Sequence, residues 1–152
     1  MTAELDVLDR LLEISLLVQE DMTRAFAGTG LTVSRTHLMW ELNRLGPSSQ
    51  RALADVLQVS PRNVTGLVDA LETGGYVVRS PHPTDRRTTL VRLTEQGATT
   101  MAQMERDRRT LAADLVADLD AGRLADFAGT LDAVTDRLRR LVAAAGSEEA
   151  PT

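Results

Sequence analysis

Apolar residues recur along most of this chain at helical spacing, with one short change of period. Two adjacent apolar stripes predict a first helix over residues 4–27, which two glycines end. A second helix, capped by Thr32 or Ser34, is predicted to end near Leu45. Because the first helix is apolar around much of its girth, we expect it to be buried on more than one side.

Two short helices meet at a three-residue turn near the middle of the chain. Ser48 or Ser49 caps the third helix, which is predicted through Leu57. Residues 58–60 form the turn, and a fourth helix runs from Pro61 to about residue 73. Its inner stripe, at spacings i, i+3, i+4 and i+7, consists of Val64, Leu67, Val68 and Leu71. This arrangement is typical of a helix-turn-helix.

The period then changes to that of strands. Residues 76–79 and 88–93 are rich in β-branched side chains, and the loop between them contains two prolines. Thr94 is predicted to cap a fifth helix that continues to about Leu119. We therefore expect a strand pair that follows the helix-turn-helix directly.

A last helix is predicted from about Arg123 to Ala145, after a break at residues 120–122. Its apolar residues alternate at spacings of three and four, a heptad seam that should pack on another long helix. Residues 146–152 are small and acidic and are predicted to be disordered. The predicted fold class is mainly α with a small β-wing: a lobe that holds the helix-turn-helix and the strand pair, and a lobe of long helices.

Composition agrees with a helical, soluble domain and excludes several function classes. The chain is 43% hydrophobic and 3% aromatic, so its core must be built from Leu, Val and Ala. The absence of cysteine excludes a disulfide framework, a thiolate metal site and a cysteine redox sensor. No catalytic constellation or phosphate loop is visible, and the two histidines lack the spacing of a zinc site. We expect no enzyme, no cofactor and no metal.

Charge is distributed unevenly along the chain. The net charge of −5 argues against a general coat for nucleic acid. Between Ser60 and Arg92, however, five arginines stand against three acids. All 17 basic residues are arginine, which suits phosphate and base contacts better than lysine does. The sequence therefore favours a local basic face.

The outer face of the fourth helix is predicted to enter a DNA groove. Arg62 can pair with guanine edges and Asn63 with adenine edges, and Gly66 allows close approach. The candidate DNA-binding residues of this helix are Ser60, Pro61, Arg62, Asn63, Thr65 and Gly66. The alternative interpretation is a surface helix with ordinary polar residues.

The loop between the strands supports the DNA interpretation. Arg86 and Arg87 are adjacent at its tip and suit a narrow, electronegative minor groove. Alternatively the loop is a solvated turn in which Asp85 pairs with an arginine. Both interpretations hold together if Asp85 braces an arginine that it presents to DNA.

Residues 53–97 resemble the winged helix-turn-helix core of the MarR family of bacterial transcription regulators. The wing signature Asp-x-Arg is present as Asp85-Arg86-Arg87, and a Leu-Thr-x-x-Gly run spans residues 93–97. The flanking helices also fit, so the resemblance covers almost the whole chain. It implies a single domain over residues 1–145, with a winged lobe at about 31–94 and dimerisation helices at about 4–27 and 95–145.

The resemblance implies a homodimer on a palindromic operator in double-stranded DNA. It implies Arg87 in the minor groove, Arg86 on a phosphate or in the neighbouring groove, and Asp85 as the brace. Family members are usually repressors, and many release DNA on binding a small aromatic or phenolic acid. The implied dimerisation residues are Leu5, Leu8, Leu12, Leu124, Phe127, Leu131, Val134, Leu138 and Leu141.

Two further expectations concern the site of the effector and the subcellular location of the protein. A cavity near the second helix would use Trp40, with Arg35 or His37 to take a carboxylate, although Trp40 as core and His37 as a surface residue is the simpler interpretation. With no signal peptide or membrane span in the sequence, we expect a cytoplasmic, nucleoid-associated bacterial protein. A winged helix used as a protein-interaction module is the alternative function, although its recognition helix would expose apolar residues.

Overall fold

The computed structural model describes residues 2–85 and 87–148, with the backbone alone for the last three. Its elements are α1 (Ala3–Phe26), α2 (Val33–Leu45), β1 (Ser48–Ser49), α3 (Gln50–Leu57), α4 (Pro61–Thr73), β2 (Val77–Pro81), β3 (Thr89–Leu93), α5 (Glu95–Leu115) and α6 (Ala121–Glu148). The chain divides into two compact units, residues 1–105 and 106–152, and α5 belongs to both. The mainly helical fold with a small sheet confirms the predicted fold class.

Side-chain caps begin α2 and the two helices of the helix-turn-helix, α3 and α4. Thr32, Ser49 and Ser60 accept the backbone N–H of Arg35, Ala52 and Asn63 at 3.3, 3.2 and 3.2 Å. Each cap satisfies one of the N–H groups that a helix leaves without a partner in its first turn. Of the alternatives that the sequence left open, the structure selects Thr32 over Ser34 and Ser49 over Ser48.

A continuous apolar core holds the first unit together. Its fully buried side chains come from α2, α3, α4, the sheet and the start of α5: Leu38, Met39, Leu53, Val64, Val68, Leu71, Val77, Val91 and Met101. The predicted inner stripe of α4 lies in this core, with Leu67 half-buried at its margin. Burial of this stripe fixes the rotation of α4 about its axis and so decides which residues face solvent.

Three antiparallel strands form the sheet in the order β1-β3-β2. Val77 pairs with Leu93 and Pro81 with Thr89, so the two long strands form a hairpin. Ser48 and Ser49 add a short third strand to β3, which the sequence did not predict. Two serines after a proline carry no strand signal of their own, because their pairing depends on a distant segment.

The second unit corrects the prediction around residues 120–122. We predicted a break there, but Ala121 and Gly122 are the first residues of α6. The cause is Asp120, whose Oδ1 accepts the backbone N–H of Arg123 at 2.9 Å. Helix α5 accordingly ends at Leu115 rather than near Leu119. Helix α6 continues to Glu148, and the remainder of the predicted disordered tail, residues 149–152, lies outside the described residues.

Candidate nucleic-acid interface

The outer face of α4 is exposed and polar. Pro61, Arg62, Asn63, Thr65 and Gly66 are all exposed, opposite the buried stripe of the same helix. The hydroxyl of Thr65 donates to the carbonyl of Pro61 at 3.0 Å, so its oxygen can still accept a hydrogen bond. A Cβ built on Gly66 would meet no atom within 4 Å. The helix therefore presents hydrogen-bonding side chains around an open, low surface.

A groove between α3 and α4 lies beside this face. It has a volume of about 550 Å³ and is lined by Gln50, Arg51, Ala54, Asp55, Val59, Pro61 and Thr65. Arg51 is exposed in the first turn of α3. It brings a further arginine alongside the start of α4, which the sequence-based list of candidates did not include.

The loop between β2 and β3 is held by Asp85 through the main chain. Its Oδ1 accepts the backbone N–H of Arg87 at 3.0 Å, and its Oδ2 accepts the hydroxyl of Thr88 at 2.6 Å. The Thr88 hydroxyl, followed by the Arg87 amide, lowers the pKa of Asp85. Asp85 thus braces the backbone from which the exposed Arg87 side chain projects. Arg86 lies outside the described residues.

His82 is a second support of this loop, which sequence reasoning missed. Its Nδ1 accepts the backbone N–H groups of Thr84 at 3.2 Å and Asp85 at 3.1 Å. Because Nδ1 accepts, the neutral ring carries its proton on Nε2. Its backbone N–H also donates to the carbonyl of Thr88 at 2.9 Å, which closes the base of the loop. A histidine between two prolines gave no sequence signal of this role.

Arg79 joins the wing strand to α4. The two ends of its guanidinium bond Asp69 Oδ1 at 2.6 Å and Glu72 Oε2 at 2.5 Å. Asp69 lies on the outer face of α4, one turn after Thr65, and the structure pairs it with Arg79. These ion pairs involve one of the five arginines and two of the three acids between Ser60 and Arg92. The remaining arginines of the segment, Arg62, Arg86, Arg87 and Arg92, then outweigh the single acid Asp85.

The turn after α4 is locked to the start of α5. The hydroxyl of Thr94 donates to the carbonyl of Gly75 at 2.6 Å and accepts the backbone N–H of Gly97 at 3.0 Å. A Cβ on Gly97 would lie 2.1 Å from the carbonyl oxygen of Tyr76, so this position has room for glycine alone. The Tyr76 hydroxyl in turn donates to the carbonyl of Thr29 at 2.8 Å. The Leu-Thr-x-x-Gly run therefore sets where α4 lies relative to α5.

The helices predicted to form a dimer expose their apolar residues in the single chain. On α1, Leu5, Leu8 and Leu12 are 50%, 50% and 54% exposed. On α6, the exposed apolar residues include Leu124, Phe127, Leu131, Val134, Leu138 and Leu141. Apolar residues exposed along a helix in this number usually mark an interaction site.

The three residues proposed to bind an effector share α2 but have other partners. Arg35 donates from Nη1 to the carbonyl of Gly30, and the exposed His37 lies 3.8 Å from Glu41. Trp40 is partly buried and packs against the core. Their roles as core, surface or ligand-binding residues stay predictions.

Two kinds of feature are absent from the described part of the chain. No helix there has the length and apolar character that crossing a membrane requires. Within residues 2–85 and 87–148, no group of three or more His, Cys, Asp or Glu side chains is placed to hold a metal ion.

A model of the MarR family matches residues 31–89. BadR, a transcriptional activatory protein of Rhodopseudomonas palustris, is 26% identical over 147 residues, which cover 94% of this chain and 84% of BadR. The transcriptional repressor IacR of Pseudomonas putida is 28% identical over 123 residues, 81% of this chain and 67% of IacR. Over residues 31–89 this chain is therefore similar to the MarR family. MarR proteins are transcription regulators and not enzymes, which confirms both the resemblance and the prediction that this chain is no enzyme.

Among solved structures, FabT of Streptococcus pneumoniae in complex with DNA has a TM-score of 0.80 to this chain. The match covers 91% of this chain and 99% of FabT at 18% identity. At that identity the likeness shows the fold alone, and it supports the winged-helix architecture of this chain.

Proposed function

We propose that this chain binds double-stranded DNA as a homodimer at an inverted-repeat operator and represses transcription there. The observation that carries the proposal is the pairing of two surfaces in one lobe. The polar face of α4 is exposed, and hydrogen bonds to Asp85 and His82 fix the backbone of the wing loop in the same lobe. Arg79 ties the two together. A major-groove helix and a minor-groove loop need such a fixed relation to engage one duplex.

Each part of this surface has a distinct proposed task. Arg62 and Asn63 read base edges from the first turn of α4, where the positive end of the helix dipole also favours nearby phosphates. Arg87 enters the minor groove, and Arg86 contacts a phosphate or the neighbouring groove. The close approach of α4 to the DNA groove depends on its remaining candidate residues, Ser60, Pro61, Thr65 and Gly66. The rival function, a protein-interaction module, is disfavoured because this face carries no large apolar side chain.

The exposed apolar residues of α1 and α6 are proposed to be covered by a second copy of the chain. A two-fold dimer would place its two recognition helices about 34–36 Å apart, one turn of the duplex. We also propose that an aromatic or phenolic acid binds near α2 as the effector. Arg35 has five N–H donors and commits one of them to Gly30, so it retains donors for a carboxylate.

Selection of bound duplexes from a random pool tests this function. We expect an inverted repeat whose half-sites are centred about 10 base pairs apart. When the selection is repeated with Arg62→Ala or Asn63→Ala, base preference should relax within each half-site. No enrichment of any sequence by the wild-type chain would contradict the proposal and favour the interaction module.

Substitution of Arg87 tests the proposal that this wing residue enters the minor groove. Arg87→Ala should weaken binding to the selected duplex by about 1–3 kcal/mol while the fold is retained. Fluorescence anisotropy across a salt series measures the affinity and the slope of log affinity against log salt concentration. The magnitude of that slope falls by about 0.9 for each phosphate contact that is lost. Arg44→Ala, which removes an exposed arginine of α2, is the matched control. Unchanged affinity for Arg87→Ala would remove the wing from the mechanism.

A further inference from the structure

Arg79 makes the contacts that a rigid joint between the wing and α4 requires. It lies on β2, yet its guanidinium reaches two carboxylates of α4 with Nη2–Asp69 Oδ1 at 2.6 Å and Nη1–Glu72 Oε2 at 2.5 Å. Its backbone N–H also donates to Glu72 Oε1 at 3.0 Å. Glu72 therefore binds both the main chain and the side chain of one strand residue. Because the guanidinium is planar, these hydrogen bonds fix the orientation of β2 relative to α4 as well as their separation.

The arginine of this joint is more buried than the arginines of the helical pairs that the structure describes. The Arg79 side chain is 26% exposed, whereas Arg24, Arg44 and Arg139, which pair within their own helices, are 62–73% exposed. The hydrogen bond from the Arg79 amide, and then that from its guanidinium, lowers the pKa of Glu72. Glu72 therefore stays charged through the neutral range, and the joint loosens only as acid protonates that carboxylate.

The place of the two acids on α4 gives the joint a second consequence. Asp69 follows Thr65 by one helical turn, so it continues the face that is proposed to meet DNA. An unpaired carboxylate there would repel the phosphate backbone. Arg79 supplies the opposite charge from the protein itself, which leaves the arginines of the wing tip and of the first turn of α4 to contact the duplex.

We propose that Arg79 is a positioning residue for operator recognition, holding the wing and the recognition helix at one fixed angle through Asp69 and Glu72. This inference rests on the proposed DNA-binding function. A fixed angle matters for specificity in particular, because base edges and the minor groove must be met at the same time. Random DNA needs only phosphate contacts, which tolerate a change of angle.

The test compares variants on two probes, the duplex selected by the wild-type chain and a scrambled duplex of equal length. Arg79→Met should weaken binding to the selected duplex about tenfold or more and leave binding to the scrambled duplex much less affected. Arg79→Lys keeps the charge without the planar fork, so it should recover only part of the preference. Arg44→Met removes an arginine whose pair with Glu41 spans one helix, and should change neither.

A triple variant, Arg79→Met with Asp69→Asn and Glu72→Gln, separates position from charge. It removes the uncompensated acids but does not restore the joint, so we expect the preference for the selected duplex to stay low. Recovery of wild-type preference would show that Arg79 acts by neutralisation alone and would overturn the proposal. Equal preference of Arg79→Met and wild type, with only the melting temperature lowered, would also overturn it. Failure of the wild-type chain to bind any duplex would instead contradict the proposed function.

Discussion

Replacing Leu131 with aspartate should convert the protein to a monomer and abolish operator binding in the same step. Leu131 lies in the middle of the apolar seam of α6 and is 37% exposed in the single chain. Because only about a third of Leu131 remains to be covered, a partner gains less than the roughly 1.5–3 kcal/mol of a fully exposed leucine. Burying an unpaired carboxylate in its place costs several kcal/mol. We expect the same outcome for Leu138→Asp.

Loss of the dimer should reduce operator affinity by about a hundredfold or more, since linked half-sites gain at least that much from binding together. Light scattering coupled to size exclusion gives the mass, and anisotropy with the selected duplex gives the affinity. Ala133→Asp places the same charge on α6, about half a turn around the helix from Leu131, and is the matched control. Tight operator binding by a monomeric Leu131→Asp would break the proposed coupling between assembly and recognition.

Replacing Gly97 with alanine should destabilise the winged lobe by about 2–3 kcal/mol, in the range of overpacked sites. The new Cβ would lie 2.1 Å from the carbonyl oxygen of Tyr76 and 3.2 Å from Leu93 Cδ2, so backbone has to move. That movement also separates Thr94 from Gly75 and loosens the turn that follows α4. The melting temperature should fall by roughly 5–10 °C for a chain of this size.

Gly66→Ala is the matched control for this prediction, because it makes the same change in a helix with open space around it. It should raise stability slightly, since alanine is favoured over glycine inside a helix by about 1 kcal/mol. Its effect should appear instead on DNA, where a methyl group on the outer face of α4 hinders close approach. Calorimetry of the two variants that gave equal melting temperatures would refute the close packing of Gly97 against Tyr76.

Local signals explain why the helices and the turn could be predicted. The sequence Ser60-Pro61 starts α4 in the structure as predicted, since a cap and a proline at the first position act within one turn. The buried stripe of α4 then follows from spacing alone. Its exposed face follows in the same way, so the candidate residues of α4 could be named without coordinates.

Contacts between distant segments explain what was missed. The Arg79–Glu72 and Arg79–Asp69 pairs join a strand to a helix, and no spacing rule relates those positions. Strand β1 depends likewise on pairing with Leu90 and Val91. Asp120 was misjudged for a different reason, because an Asp-Ala-Gly sequence suits a break and a helix start equally well until its cap bond is known.

The proposed mode of DNA binding requires that two copies of this chain hold one duplex. Sedimentation velocity at micromolar protein, with and without the selected duplex, measures this most directly. We expect a dimer in the absence of DNA, and a complex of two chains per duplex that dissociates as salt rises. A single protomer that sediments unchanged when the duplex is added would contradict it.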